Sequence, residues 1–119
     1  MRDINILKDN DIDVDSGVEL LGDLETYDEI LEDFLLESEE RLPKLLEYKK
    51  NNDMENYAIL VHAMKGDSKY LGFNKLADLS YEHQVKSQEG DNDYVNLHYD
   101  ELMEEANRII EIVKIYLGK

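Results

Sequence analysis

A histidine, a lysine and a glycine lie close together in the segment VHAMKGDSKYLGF, residues 61–73. Lys65 follows His62 by three residues, and Gly66 follows directly. An imidazole has an ordinary pKa of about 6.5, so its neutral, nucleophilic form is available at pH 7. A phosphoryl group on such a ring carries negative charge, which a lysine one helical turn away can offset. The three residues therefore predict a histidine that carries a phosphoryl group.

Helical periodicity around His62 indicates that this side chain is exposed. The apolar residues Leu60, Met64 and Leu71 fall within one narrow arc, and His62 lies on the opposite side. The residues that share the His62 face are Glu55, Ala58, Lys65, Gly66 and Lys69. A glycine inside a helix costs about 1 kcal/mol relative to alanine, and the wheel turns Gly66 away from the core. We therefore expect a hollow beside the imidazole, into which another molecule's backbone can approach.

Four long amphipathic helices are predicted to position this segment. They span about 25–50, from the turn at 51–53 to Leu71, 75–89 and 94–117. Four helices with one apolar stripe each can bury those stripes only against one another. The predicted fold class is therefore all-α, an antiparallel four-helix bundle with a short extra N-terminal helix.

The ends of these helices are predicted from capping and helix-breaking residues. Ser16 is expected to cap the short first helix, and Asn74 to cap the helix that follows the left-handed Gly72. Pro43 is expected to kink or divide its helix. Residues 1–15 have no sustained period, so we predict a loosely ordered N-terminal segment followed by a bundle domain over residues 16–119.

Composition and charge exclude several function classes. The 29 acidic and 13 basic side chains give a net charge of −16, which disfavours nucleic acid and anionic membranes as partners. The absence of cysteine excludes disulfides, thiolate zinc sites and a cysteine nucleophile. No signal peptide or long apolar run is present, which indicates a soluble cytoplasmic protein. No kinase or nucleotide-binding motif occurs, so a phosphocarrier without enzymatic kinase activity is expected.

The same residues resemble the histidine-containing phosphotransfer (HPt) domains of multistep two-component phosphorelays. Their signature is a phospho-accepting histidine, a lysine three residues on, a glycine directly after it and a second glycine six further along. The matching residues are His62, Lys65, Gly66 and Gly72. The resemblance extends from about residue 16 to 117, because the expected short helix and four bundle helices all have counterparts.

The resemblance implies a role for each matching residue. His62 would accept and donate the phosphoryl group, Lys65 would be its charge partner, and Gly66 would give clearance to a docking receiver domain. Further residues assigned to the phosphate or docking face are Ala58, Lys69, Ser68, which matches a usually small position, and Gln84. Gln84 resembles a polar residue that hydrogen-bonds near the histidine in some members, or it is an ordinary surface glutamine.

The implied partners are receiver domains and a hybrid sensor histidine kinase, with the chain itself a monomer. It would need no cofactor, since the magnesium would belong to the receiver. One departure is Asp67, which stands where the family usually has serine or alanine, so its carboxylate must find a partner or reach solvent.

Other titratable residues are interpreted as structural. His83 and His98 are expected on the surface, and the acidic clusters of the first long helix are expected to be solvated. No histidine follows a glutamate by three residues, so a di-metal bundle site is not predicted. Two alternatives stay open: a bundle that binds a receiver or kinase without carrying phosphate, and a detached relative of the chemotaxis-kinase phospho-accepting module, phosphorylated in trans.

Overall fold

The computed structural model describes residues 2–119, and every regular element within them is a helix. The helices are α1 (Asn5–Lys8), α2 (Val14–Leu21), α3 (Leu24–Lys50), α4 (Met54–Leu71), α5 (Asn74–Gln88) and α6 (Asn92–Leu117). This confirms the all-α prediction. Over residues 2–119, no helix combines the length and the apolar composition that a bilayer crossing requires.

The four long helices form a closed ring in which each packs against the next in sequence and α6 packs against α3. Tyr116, at the end of α6, donates a hydrogen bond of 2.8 Å to Asp28, near the start of α3. At the other end of this pair, the Lys49 ammonium lies 4.8 Å from the ring centre of Tyr99. These contacts mean that α3 and α6 run in opposite directions.

The core is built from the apolar stripes of all four long helices. Phe34 of α3 meets Phe73, which joins α4 to α5, edge to face with 5.1 Å between ring centres. Tyr27 is fully buried, and its hydroxyl donates to the Leu71 carbonyl at 2.6 Å. Other fully or almost fully buried residues are Leu31, Leu45, Tyr57, Val61, Met64, Leu76, Val95, Leu102, Ile109 and Val113.

Aspartates begin four of the helices. Asp13, Asp23, Asp53 and Asp91 each accept a hydrogen bond from the backbone N–H three residues later. The prediction that Ser16 caps the short helix now labelled α2 was wrong, because Asp13 is its cap and Ser16 supplies the N–H. The prediction for Asn74 was also wrong, since α5 begins after Phe73 without a side-chain cap.

The left-handed residue predicted at the α4–α5 corner is confirmed. Gly72 has φ +81°, and a Cβ there would collide with the Asp13 carbonyl oxygen. The Gly72 carbonyl also accepts a hydrogen bond of 3.0 Å from the Asp13 N–H. Glycine is required both by the backbone angle and by this close approach to the start of α2.

The N-terminal segment packs against the bundle, so the loose order predicted for residues 1–15 was wrong for the described residues 2–15. Leu7 is fully buried, Ile12 is nearly so, and both belong to the main core. Arg108 of α6 donates a hydrogen bond of 3.0 Å to the Asn10 carbonyl. The apolar residues show no period because a turn separates α1 from α2. Met1 lies outside the described residues.

Pro43 does not divide α3, which continues to Lys50. The proline is exposed, while Leu45, two residues later, is fully buried. Proline removes one backbone hydrogen bond and crowds the carbonyl of the preceding turn, but the packed residues after it keep the chain helical.

Candidate functional site

His62 lies on the exposed face of α4, as its periodicity predicted. Its Nδ1 is 3.1 Å from Oε1 of Gln84, which belongs to the neighbouring helix α5. The Asp53 cap fixes where α4 begins, and Val61 and Met64 bury the opposite face. Of the two alternatives left open for Gln84, this contact favours a residue that hydrogen-bonds to the histidine over an ordinary surface glutamine.

This contact defines the hydrogen-bonding state of the imidazole. An amide oxygen only accepts hydrogen bonds, so a hydrogen bond between these two atoms requires the proton on Nδ1 of His62. In the neutral ring, Nε2 then keeps its lone pair. The nitrogen available to an electrophile is Nε2.

Lys65 lies one helical turn after His62, with its side chain half-buried against α5. Its ammonium is 5.3 Å from the ring centre of Tyr81, at cation–π distance. Across residues 2–119, no carboxylate lies within salt-bridge distance of this ammonium. Lys65 is thus a cation near the imidazole that no anion of the described chain neutralises. Sequence reasoning missed Tyr81, although it precedes Gln84 by three residues.

Open space borders the histidine on two sides. A Cβ built on Gly66 meets nothing within 4 Å, so no contact within the chain requires glycine there. Towards the start of α4, a groove of about 690 Å³ adjoins the imidazole. Its lining residues are Met54, Glu55, Ala58, Ile59, His62, Gln84, Ser87, Gln88 and Gly90. Ile59 is 61% exposed at this groove, and Lys69 is exposed on the other side of Gly66.

Ser68 does not belong to this surface. It is fully buried, and its hydroxyl has no hydrogen-bond partner. Ser68 follows Met64 by four residues, so it continues the apolar arc of α4 into the core. The assignment of Ser68 to the docking face was therefore wrong, and a small side chain is needed there for packing.

Asp67 finds a partner on α3. Its carboxylate accepts a hydrogen bond of 3.1 Å from Arg41, which also donates to Glu37 at 3.0 Å. Burial raises the pKa of Glu37, and the nearby Asp67 carboxylate raises it further. Arg41 is largely buried and links the site-bearing turn of α4 to α3. Sequence reasoning gave Asp67 the need for a partner but did not identify Arg41.

His83 is buried, so the prediction that it lies on the surface was wrong. Its Nδ1 is 2.9 Å from the Tyr57 hydroxyl, and burial lowers the pKa of His83 to about 4. The available signal was the spacing of the buried face of α5, made by Leu76, Ser80, His83 and Ser87. His98 is only partly exposed, because its ring packs on Tyr94 with 4.2 Å between centres.

No metal centre is evident at the site. Within residues 2–119, no three His, Cys, Asp or Glu side chains are grouped so that they could hold a metal ion.

Comparison with known proteins returns one family. A family model described as Hpt domain matches residues 29–111. The matched region contains all of α4 and α5 and most of α3 and α6, and thus the whole His62 site. No curated protein and no solved structure matches the chain.

Proposed function

Because the chain belongs to the Hpt domain family, we propose that His62 accepts a phosphoryl group from a receiver-domain aspartate and passes it to another receiver. Hpt domains are phosphocarrier modules of two-component signalling that interact with receiver domains and histidine kinases. The observation that carries the proposal is the exposed imidazole of His62, oriented by Gln84 and adjacent to an unneutralised Lys65.

The transfer is a displacement at phosphorus. The Nε2 lone pair of His62 attacks, an N–P bond forms, and the P–O bond of the aspartyl phosphate breaks with its electron pair leaving on the carboxylate. The ring gains positive charge, which its Nδ1–H shares with Oε1 of Gln84. Lys65 offsets the phosphoryl charge. The reverse steps deliver the group to the second receiver, and the magnesium belongs to the receivers.

The surroundings of His62 support docking of a protein donor. The open space at Gly66 admits a partner's backbone beside the imidazole. Exposed Ile59 offers an apolar contact on one side, and Lys69 offers a cation on the other. Ala58, predicted on the exposed face of His62, is only 6% exposed, although it lines the groove. We assign Ile59, Gly66 and Lys69 to the docking face.

The test is phosphoryl transfer from a radiolabelled phospho-receiver to the wild type, to His62→Gln and to the control His98→Gln. Acid-labile, alkali-stable label is expected on the wild type and on the control, and absent from His62→Gln. A folded wild type that takes label from none of the host's receivers would favour the bundle that only binds. Label only from ATP and a kinase would favour the chemotaxis-type module.

A further inference from the structure

Two side-chain contacts cross from α4 to α5 on the exposed face. Lys65 lies three residues after His62 on α4, and Tyr81 lies three residues before Gln84 on α5. In antiparallel neighbours, these spacings place the two contacts one helical turn apart. Tyr81 therefore stands opposite Lys65 as Gln84 stands opposite His62.

Lys65 contacts an aromatic ring of a neighbouring helix, as Lys49 does at Tyr99. The chain has 29 acidic residues, and Lys86, which also lies over a tyrosine ring, pairs with Glu89 as well. Lys65 has the aromatic ring but no such carboxylate in residues 2–119. The Tyr81 side chain is half-exposed, so the ammonium can leave it without unpacking the core. Lys65 is held, yet it remains free to move to an anion.

We propose that Tyr81 is a positioning residue for Lys65, holding its ammonium on the ring while His62 is unmodified and releasing it when His62 carries a phosphoryl group. This inference rests on the proposed phosphocarrier function and adds a residue that controls it. An exposed cation–π contact is weak, whereas a charge-assisted hydrogen bond to a phosphoryl oxygen is stronger. The ammonium therefore transfers from ring to phosphoryl group.

The arrangement has a thermodynamic consequence. A contact made only in the unmodified state stabilises that state relative to phosphohistidine. Loss of the ring should therefore shift the equilibrium towards phosphohistidine by about two- to five-fold, the factor that corresponds to an exposed cation–π contact. Loss of the tyrosine hydroxyl alone should not.

The experiment compares the wild type, Tyr81→Leu and Tyr81→Phe, each also in a Lys65→Met background. The probe is phosphoramidate at a fixed ratio to ammonia: its N–P bond breaks, a bond from Nε2 to phosphorus forms, and ammonia leaves. The ratio of phosphohistidine to histidine is expected to rise two- to five-fold in Tyr81→Leu, by about the same cation–π factor, and to stay unchanged in Tyr81→Phe. The matched control is Tyr70→Leu, which removes a tyrosine of similar exposure, 51% against 53%.

Lys65 itself reports the contact independently of phosphorylation. Its ε-methylene proton resonances should show an upfield ring-current shift in the unmodified wild type and in Tyr81→Phe, but not in Tyr81→Leu. That shift should disappear from the wild type after phosphoramidate treatment.

Three results would overturn the inference: an equal phosphohistidine ratio in Tyr81→Leu and wild type, an effect of Tyr81→Leu that persists without Lys65, or a Lys65 shift that phosphorylation leaves unchanged. A chain that shows the ring-current shift but forms no phosphohistidine at all would instead overturn the proposed function, and the release step with it.

Discussion

Tyr57 of α4 and His83 of α5 are joined by a hydrogen bond of 2.9 Å inside the core, where both side chains are fully buried. His83 immediately precedes Gln84, which holds the His62 imidazole. The buried pair therefore fixes the register between the two helices whose exposed faces carry the site. Burial also raises the pKa of Tyr57, which keeps the hydroxyl protonated.

We predict that His83 makes the fold sensitive to mild acid. Burial lowers its pKa from 6.5 to about 4, so the unfolded chain binds the extra proton first as the pH falls. Protonation linked to His83 therefore leaves the free energy of unfolding unchanged above pH 6.5. It lowers that free energy by about 3 kcal/mol as the pH falls from 6.5 to about 4. Urea unfolding of the wild type and His83→Gln from pH 7 to pH 4 measures the difference.

In this comparison, the wild-type free energy of unfolding should fall by about 3 kcal/mol more than that of His83→Gln over the same range. The control His98→Gln should keep most of the wild-type dependence. Parallel curves for the wild type and His83→Gln would contradict the assignment.

The second prediction concerns Gln84. Gln84→Leu removes the acceptor for Nδ1–H, so both neutral tautomers of His62 should become populated. Phosphorylation by phosphoramidate should then slow about five-fold, the factor that corresponds to the free energy of one ordinary hydrogen bond. Nitrogen-15 NMR of the imidazole measures the tautomer, and the initial rate measures the chemistry. Gln88→Leu, which changes the same groove without touching the ring, should match the wild type. A nitrogen-15 spectrum of the wild type that shows the proton on Nε2 would contradict the prediction.

The third prediction separates docking from folding at Gly66. Gly66→Ala should raise the free energy of unfolding by up to about 1 kcal/mol, because alanine favours the helix and the site has room. Phosphorylation by phosphoramidate should be unaffected, while transfer from a phospho-receiver should slow about tenfold through overpacking at the interface. Equal loss with both donors would show that the glycine serves the chemistry rather than docking.

Gly17 provides the matched control for this substitution. A Cβ there would lie 2.6 Å from the Tyr27 ring. Gly17→Ala should therefore destabilise the fold, by about 1–3 kcal/mol.

The fourth prediction concerns the link between Arg41 and Asp67. Asp67→Ser should lower the free energy of unfolding by about 2 kcal/mol, because it leaves a largely buried guanidinium with Glu37 alone. Arg41→Met should recover part of this loss in the double variant, and a double-mutant cycle in urea measures the coupling.

Lys114→Met, which breaks an exposed pair with Glu111, is the control and should change the free energy of unfolding by about 0.5 kcal/mol or less. Strict additivity at Arg41 and Asp67 would contradict the link.

Much of the site could be predicted because it depends on one helix. His62, Lys65 and Gly66 are placed relative to each other by the fixed rotation of α4, and the apolar arc shows which way that helix faces. The left-handed Gly72 follows from local backbone chemistry in the same way. These features need no knowledge of the other helices.

The wrong predictions concern residues whose type or periodicity indicated exposure, while tertiary packing buries them. Ser68 and His83 are polar, but each occupies a buried position of its helix, so tertiary packing overrode residue type. The N-terminal residues Leu7 and Ile12 lack a helical period, yet the bundle offers them an apolar surface.

The sequence by itself determined the four long helices, the main apolar stripe of each and the exposed histidine with its lysine, because backbone hydrogen bonding repeats within a few residues. The tertiary structure alone decided which side chains meet across helices: Gln84 at His62, Tyr81 at Lys65 and Arg41 at Asp67. Those meetings depend on the rotation and axial offset of one helix against another. Both are set by the sum of core contacts along the whole bundle, and no single segment encodes them.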